Sequence, residues 1–483
     1  MKYAFKRKFY YDAEHAVRES SVTFILGARR CGKTVCMKQL YDQFSSERDF
    51  DKVLYTDIKK DYNDKYEKIS FINQVIASIN NDESILYLID EATYLQFPDK
   101  EIMKIQDAFT SGHNHATRVV LAGSQSKALE YWGHLAFAGD AVYVRADFLS
   151  YPEWMVYKGI REVSADTYVR FLRGTREFYR NFHSTKEYLQ GCLDETVISN
   201  NRAGEIIYGN DCSKINNEML LDVLYASLIT LHNHVNYQSF ANQDTLVDDV
   251  IYHFAGICGQ LCEKDIEARV ADLLRGRYQN FKRMSGEELL QSFQFLNSCG
   301  LITVTHVTDD FESSPYYCRQ LLSDFGEKPS KQEIMRQLNI CIKYPMFYID
   351  IVQDLLGEDM PETLPPSLVG SIVECHVRGL LPDTGCIEYH DADDREIDYV
   401  NTSLREAVEI SVSNKKLSQT HFDVLPENYR KILLSKDRWE ERDGVEFVPY
   451  YQFIFENSVG RELFDSSLNN NSKGGTKADG NTE

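Results

Sequence analysis

Residues 21–34 read Ser-Val-Thr-Phe-Ile-Leu-Gly-Ala-Arg-Arg-Cys-Gly-Lys-Thr. The first six form a short apolar run rich in β-branched side chains and closed by Gly27, the pattern of a buried strand. From Val35 to Phe44 the side chains of Val35, Met37, Leu40, Tyr41 and Phe44 return at helical spacing. Between strand and helix, Gly27-Ala28-Arg29-Arg30-Cys31-Gly32-Lys33-Thr34 matches the eight-residue phosphate-binding loop in the context its mechanism requires. The glycines let backbone N–H groups curl round a β-phosphate, and the helix amino terminus adds its dipole. Gly27 through Val35 are therefore the expected ATP-binding residues, with Lys33 reaching the β- and γ-phosphates and Thr34 ligating Mg²⁺.

Outward from this loop, apolar runs at Val53–Thr56, Ile85–Ile89 and Val119–Gly123 predict three more strands separated by helical stretches. Strands that alternate with helices imply a parallel sheet covered on both faces. The run Ile85-Leu86-Tyr87-Leu88-Ile89 ends in Asp90-Glu91. The first acid is placed to hold Mg²⁺ and the second to orient and deprotonate an attacking water. The next strand delivers Ser124 and Gln125 to the carboxyl edge of the sheet, where Ser124 is expected to sense the γ-phosphate.

The 483 residues are 43% hydrophobic and 26% charged, which excludes a single small module and wholesale disorder. With 53 bases against 74 acids the net charge is −21, so a surface that grips nucleic acid through counterion release is excluded and any such contact must be local. Eleven cysteines without framework spacing read as reduced thiols of a cytoplasmic protein. Cys258 and Cys262 lack further ligands at zinc spacing. The amino terminus lacks the apolar core of a leader peptide, and no run is long enough to span a membrane.

Residues 1–155 form the expected ATPase core. Helical periodicity then dominates, with a helical region over 156–245 and helices predicted at 211–240 and 247–275. Ser285 and Glu288 make a capping-box signal, followed by a helix to Cys299, a turn at Gly300 and a short strand at Leu301–Val304. That order fits the end of a winged helix-turn-helix, placed at 246–342, or a generic helical linker domain. From 343 to 465 the texture returns to α/β, with a helix through Val373–Leu380 and strands at Ile397–Val400 and Ala407–Val412. Residues 466–483, poor in apolar side chains, are expected to be disordered.

Four stretches, GARRCGKT (27–34), ILYLIDEA (85–92), VVLAGSQSKAL (119–129) and FLSYPEW (148–154), together resemble the AAA-superfamily ATPases that carry, after a winged-helix region, the carboxy-terminal domain of unknown function 4143. Phe347–Asp350, Gly370–Glu374 and Glu396–Val400 look like landmarks of that last domain. The resemblance implies an α/β chain built of a P-loop parallel-sheet ATPase domain, a helical and winged-helix middle region, and a carboxy-terminal α/β domain of restriction-endonuclease-like fold. The implied activity is Mg²⁺-dependent ATP hydrolysis in a switch or motor, with ATP and a protein client as partners, self-association left open and no membrane contact.

Two departures from the family stand out. Gly139-Asp140 replaces the usual Gly-Arg, leaving Arg145, Arg170, Arg173, Arg176 and Arg180 as candidates for the missing arginine. In the last domain the family brings together a helix glutamate, a strand aspartate and a Glu-x-Lys. Glu374, Asp398 and Glu409 stand at those places, but Ser411 replaces the lysine, and Lys415 and Lys416 lie too far along the chain. Neighbouring Asp391, Asp393, Asp394 and Glu396 would repel a phosphate backbone. A degenerate scaffold is therefore expected there. The alternatives are an ATP-gated metal-dependent nuclease and a slow-hydrolysing nucleotide-dependent scaffold.

Overall fold

A computed structural model of the chain describes residues 4–111, 116–123, 126–179, 183–198, 215–232, 244–261, 266–308, 330–357, 363–382, 386–390, 396–414 and 422–473. The chain forms two compact units, the first centred on residues up to Gly159 and the second on Ile160–Arg461. Among the described residues no helix is long and apolar enough to cross a membrane.

The first unit runs α1 (Lys8–Glu19), β1 (Val22–Leu26), α2 (Lys33–Glu47), β2 (Lys52–Asp57), α3 (Ile58–Asp61), α4 (Lys65–Asn80), β3 (Ile85–Asp90), α5 (Pro98–Thr110), β4 (Arg118–Ala122), α6 (Ser126–Phe137), β5 (Val142–Arg145) and α7 (Tyr151–Lys158). Its sheet has the order β2-β3-β4-β1-β5, and each neighbouring pair is parallel. Every residue of β1 and β3 is buried, as expected of inner strands with helices on both faces. Phe24, Leu26, Val75, Ile89, Leu121 and Trp132 belong to one core cluster. Truncating a residue such as Phe24 to alanine in such a core costs about 3–5 kcal/mol. The four strands read from the sequence are all present, and a fifth, β5, was not read from its short apolar run Val142-Tyr143-Val144. It is an edge strand of four residues with Val142 and Arg145 exposed.

The second unit runs α8 (Ala165–Phe178), α9 (Thr185–Ile198), α10 (Asn217–His232), α11 (Asp244–Leu261), α12 (Glu267–Arg283), α13 (Gly286–Ser298), β6 (Ile302–Thr308), α14 (Lys331–Gln337), β7 (Leu338–Ile342), α15 (Pro345–Leu356), α16 (Pro366–Leu380), β8 (Cys386–His390), β9 (Glu396–Asn401), β10 (Glu406–Glu409), β11 (Arg430–Ser435), β12 (Glu440–Arg442), β13 (Val445–Pro449) and α17 (Tyr450–Asn457). A mixed sheet orders its strands β12-β13-β11-β10-β9-β8-β6-β7. Ser285 and Glu288 form the capping box that opens α13, and Gly300 takes φ 73° in the turn after it. The strand that follows is no separate wing, because β6 pairs with β7 on one side and with β8 on the other. Strands on both sides of residue 343 thus share one sheet. Within the Phe347–Asp350 landmark, Asp350 Oδ2 accepts from Thr185 N at 2.6 Å and Thr185 Oγ1 at 2.7 Å, satisfying donors at the start of α9.

Several expectations need correction. Ile215 and Asn216 are not helical, so the helix expected over 211–240 starts at Asn217. The helix expected over 247–275 is two helices among the described residues, α11 to Leu261 and α12 from Glu267, with Ile266 as the cap residue before α12. The strand expected to reach Val412 stops at Glu409, where Ile410 N turns aside to donate to Asp398 Oδ2 at 2.7 Å. The segment 466–483 is not disordered throughout. A final helix, α18 (Arg461–Lys473), crosses into it from a first turn that buries Phe464. Once a turn is docked, helix extension no longer bears the nucleation cost, so weakly apolar residues follow. Residues 474–483 lie outside the described residues.

Candidate functional site

The loop between β1 and α2 holds its shape through two glycines with different duties. At Gly27 a Cβ would stand 1.9 Å from the Ala146 carbonyl oxygen, because the backbone after β5 closes over the loop with Ala146 N donating to Leu26 O at 2.6 Å. Gly32 instead supplies a conformation, φ 112°, as the residue before α2. Arg30 also sits at positive φ, 61°. Lys33 is buried, and its Nζ donates to the carbonyl oxygens of Gly27 and Ala28, both at 2.8 Å. Its ammonium is thus held by two carbonyl oxygens of the loop itself. Ser126, which sequence reasoning passed over, pins the start of α6 to the loop. It accepts from Gly27 N at 2.7 Å and donates to Gly27 O at 2.6 Å.

Across β4 from the loop strand, β3 ends in the acid pair. Asp90 is buried and hydrogen-bonded to the Thr34 hydroxyl. Tyr55 Oη donates to its Oδ2 at 3.0 Å, and Glu91 N donates to its Oδ1 at 3.1 Å. Burial pushes the Asp90 carboxyl above its ordinary pKa, against the Thr34 and Tyr55 hydrogen bonds that favour the charged form. A hydroxyl and a buried carboxylate in contact are hard oxygen donors of the kind Mg²⁺ takes, and the two residues expected to hold it are thereby brought together. Glu91 leaves the strand in a left-handed conformation, φ 53° and ψ 42°. A non-glycine residue held there stores about 1–3 kcal/mol, a strain that concentrates at functional sites.

Ser124 and Gln125 lie outside the described residues. So do Arg180, Cys262, Asp391, Asp393, Asp394, Lys415 and Lys416, and the side chain of Arg176. Of the arginine candidates, Arg145 is exposed and ion-paired with Glu130, while Arg170 and Arg173 lie on α8 in the second unit.

In the second unit, Glu374 and Asp398 converge, but on an arginine. Arg378, one helical turn beyond Glu374 on α16, places Nη2 3.0 Å from Glu374 Oε1 and 3.3 Å from Asp398 Oδ1. Its Nη1 pairs with Glu388 on β8, and Asn339 Nδ2 donates to Glu388 Oε2 at 2.8 Å. Arg378, Glu374, Glu388 and Asp398 are all buried. Burial pushes the Glu374 carboxyl well above the usual range, against the Arg378 guanidinium, which favours its charged form. Burial works against the Arg378 charge too, yet Glu388, Glu374 and Asp398 hold its pKa well above the ordinary value. Glu409 ends β10 one residue past the Val408–Tyr399 pair, level with Asp398, and Ser411 Oγ lies 3.1 Å from Ser413 Oγ. Among the described residues no group of three or more His, Cys, Asp or Glu is arranged to hold a metal ion. Sequence reasoning missed Arg378 and Glu388. The spacing Glu374-x-x-x-Arg378 was the available signal, since residues four apart meet on a helix.

Residues 19–155 match a protein family described as an AAA domain. The chain is similar to a Walker-type ATPase of Pyrococcus abyssi, at 14% identity over 72% of this chain and 95% of that one, with a TM-score of 0.29. It is also similar to the ORC2 protein of Aeropyrum pernix in ADPNP-ADP complexes, at 12% identity over 72% and 93%, with a TM-score of 0.33. A third similar structure is AMPPCP-bound DnaA of Aquifex aeolicus, at 11% identity over 61% and 92%, with a TM-score of 0.25. No curated protein matches the chain. With the strand, loop and acid pair where the motif requires them, the amino-terminal region is an AAA-family P-loop ATPase domain.

Proposed function

We propose that the protein binds and hydrolyses Mg-ATP and passes its nucleotide state to the carboxy-terminal unit, which acts as an effector rather than a nuclease. The observation that carries the reading is the Thr34–Asp90 contact beside a loop that already holds Lys33 by its carbonyls. On this reading the loop N–H groups and the α2 amino terminus take the phosphates, and Lys33 exchanges the Gly27 and Ala28 carbonyls for phosphate oxygens. Thr34 and Asp90 hold Mg²⁺, which when bound neutralises charge on the β- and γ-phosphoryl oxygens. Glu91 orients a water and accepts its proton, and Ser124 meets the γ-phosphate.

The gated-nuclease reading is disfavoured by Arg378. A guanidinium stands among the carboxylates that a nuclease would turn toward a divalent ion. Acids also outnumber bases two to one from Ile351 to the end of the chain, which opposes docking of a phosphate backbone. Continuous phosphate-release measurement tests the hydrolytic reading. Steady release from ATP that stops on chelating Mg²⁺ is expected. Tight ATP binding with no release above buffer would leave the scaffold reading instead.

A further inference from the structure

Arg7 belongs to the basic run Lys6-Arg7-Lys8, yet its side chain is only 7% exposed. Its Nη1 donates to Cys31 O at 2.9 Å and to Asp147 O at 2.8 Å. Its Nη2 donates to Phe148 O at 2.8 Å and to Glu153 Oε2 at 2.7 Å, and Nε reaches the same carboxylate oxygen at 3.1 Å. These bonds use all five N–H groups of the guanidinium. Glu153 is itself fixed. It completes the capping box with Ser150 that opens α7, and its Oε1 accepts from Lys8 N at 2.9 Å. The FLSYPEW stretch therefore presents a rigid, charged anchor for Arg7, and Arg7 spends one bond on the carbonyl of Cys31 inside the phosphate-binding loop.

We infer that Arg7, held by Glu153, is a positioning residue that sets the Cys31–Gly32 peptide plane for phosphate binding, an inference that rests on the ATP reading above. The described chain has no cis peptide bond, and in a planar trans peptide the carbonyl and the following N–H point to opposite sides. Tying Cys31 O to Arg7 therefore aims Gly32 N–H to the other face of the loop, at the head of α2, where such loops take phosphate oxygens. Gly32 lacks the Cβ that would resist rotation of this plane, so the conformation needs an external hold. Without Arg7 the plane is free to turn its carbonyl oxygen toward the phosphate, and both nucleotides lose a donor and meet a repulsive oxygen.

The test is calorimetric titration of full-length wild type, Arg7→Ala, Arg7→Lys and Glu153→Gln with ADP and with Mg-ATP, each well below its own melting temperature. Arg7→Ala is expected to bind both nucleotides about tenfold or more weakly than wild type. Arg7→Lys should be nearly as weak, because a point charge does not span three carbonyls and a carboxylate. Glu153→Gln should fall between, and it and Arg7→Lys carry the test if Arg7→Ala does not fold. Millimolar guanidinium should restore affinity to Arg7→Ala and not to Lys33→Ala. Arg7→Ala binding as wild type does, or lost affinity that guanidinium does not restore, would reduce Arg7 to an element of the fold and overturn the inference. Wild type that binds no nucleotide would overturn the ATP reading itself.

Discussion

Glu91→Gln is expected to leave Mg-ATP affinity within a few-fold of the parent while steady-state phosphate release falls by about 10²-fold or more, the scale of a lost general base. The contrast arises because binding and chemistry fall on different residues. On the proposed reading the loop, Lys33 and the Thr34–Asp90 pair take the phosphates and Mg²⁺, whereas Glu91 follows Asp90 past the end of β3 and outside the strand geometry. Glutamine keeps the size and left-handed backbone of the site and removes only the carboxylate. Release kinetics paired with a binding titration check this. Equal losses of affinity and turnover would make Glu91 a structural residue.

Arg378→Met is expected to destabilise the carboxy-terminal unit by about 3–5 kcal/mol, because removing one partner of a buried ion cluster strands the others. Glu374, Glu388 and Asp398 are 7%, 2% and 6% exposed, so water does not replace the guanidinium. Urea unfolding followed through the second unit measures the effect, with Arg378→Lys retaining part of the loss. The same cluster predicts that wild type with Mg²⁺ or Mn²⁺ cleaves neither DNA nor RNA above an Asp398→Ala control. A loss under about 1 kcal/mol, or metal-dependent cleavage absent from that control, would show that Arg378 does not stand in for a cation.

The nucleotide region was legible because its chemistry is local in sequence. A strand, two glycines, a lysine and a threonine stand within residues 21–34, and an apolar run ends in two acids at Asp90 and Glu91. What escaped was set by partners far along the chain. Ser126 meets Gly27, Arg7 meets Cys31 and Glu153, and Arg378 meets Glu388, and none of these pairs leaves a periodic trace. Edge strand β5 escaped because its apolar run, Val142-Tyr143-Val144, is only three residues long. Helix α1 was within reach, since Phe9, Tyr10, Ala13, Ala16 and Val17 bury one face at helical spacing. The carboxy-terminal acids were found by resemblance to a family, and the residue that decides their chemistry, Arg378, was not among that family's landmarks.

Titration of Mg-ATP into the full-length protein, with thermal melting in parallel, tests the central claim most directly. At free ATP near a hundred times Kd, binding to the native state alone adds about 2.7 kcal/mol to the first unit and raises its melting temperature measurably. Wild type should show a saturable heat and this upward shift, and Lys33→Ala should show neither. A wild-type protein that gives no heat of binding and an unchanged melt in saturating Mg-ATP would contradict the account at its root.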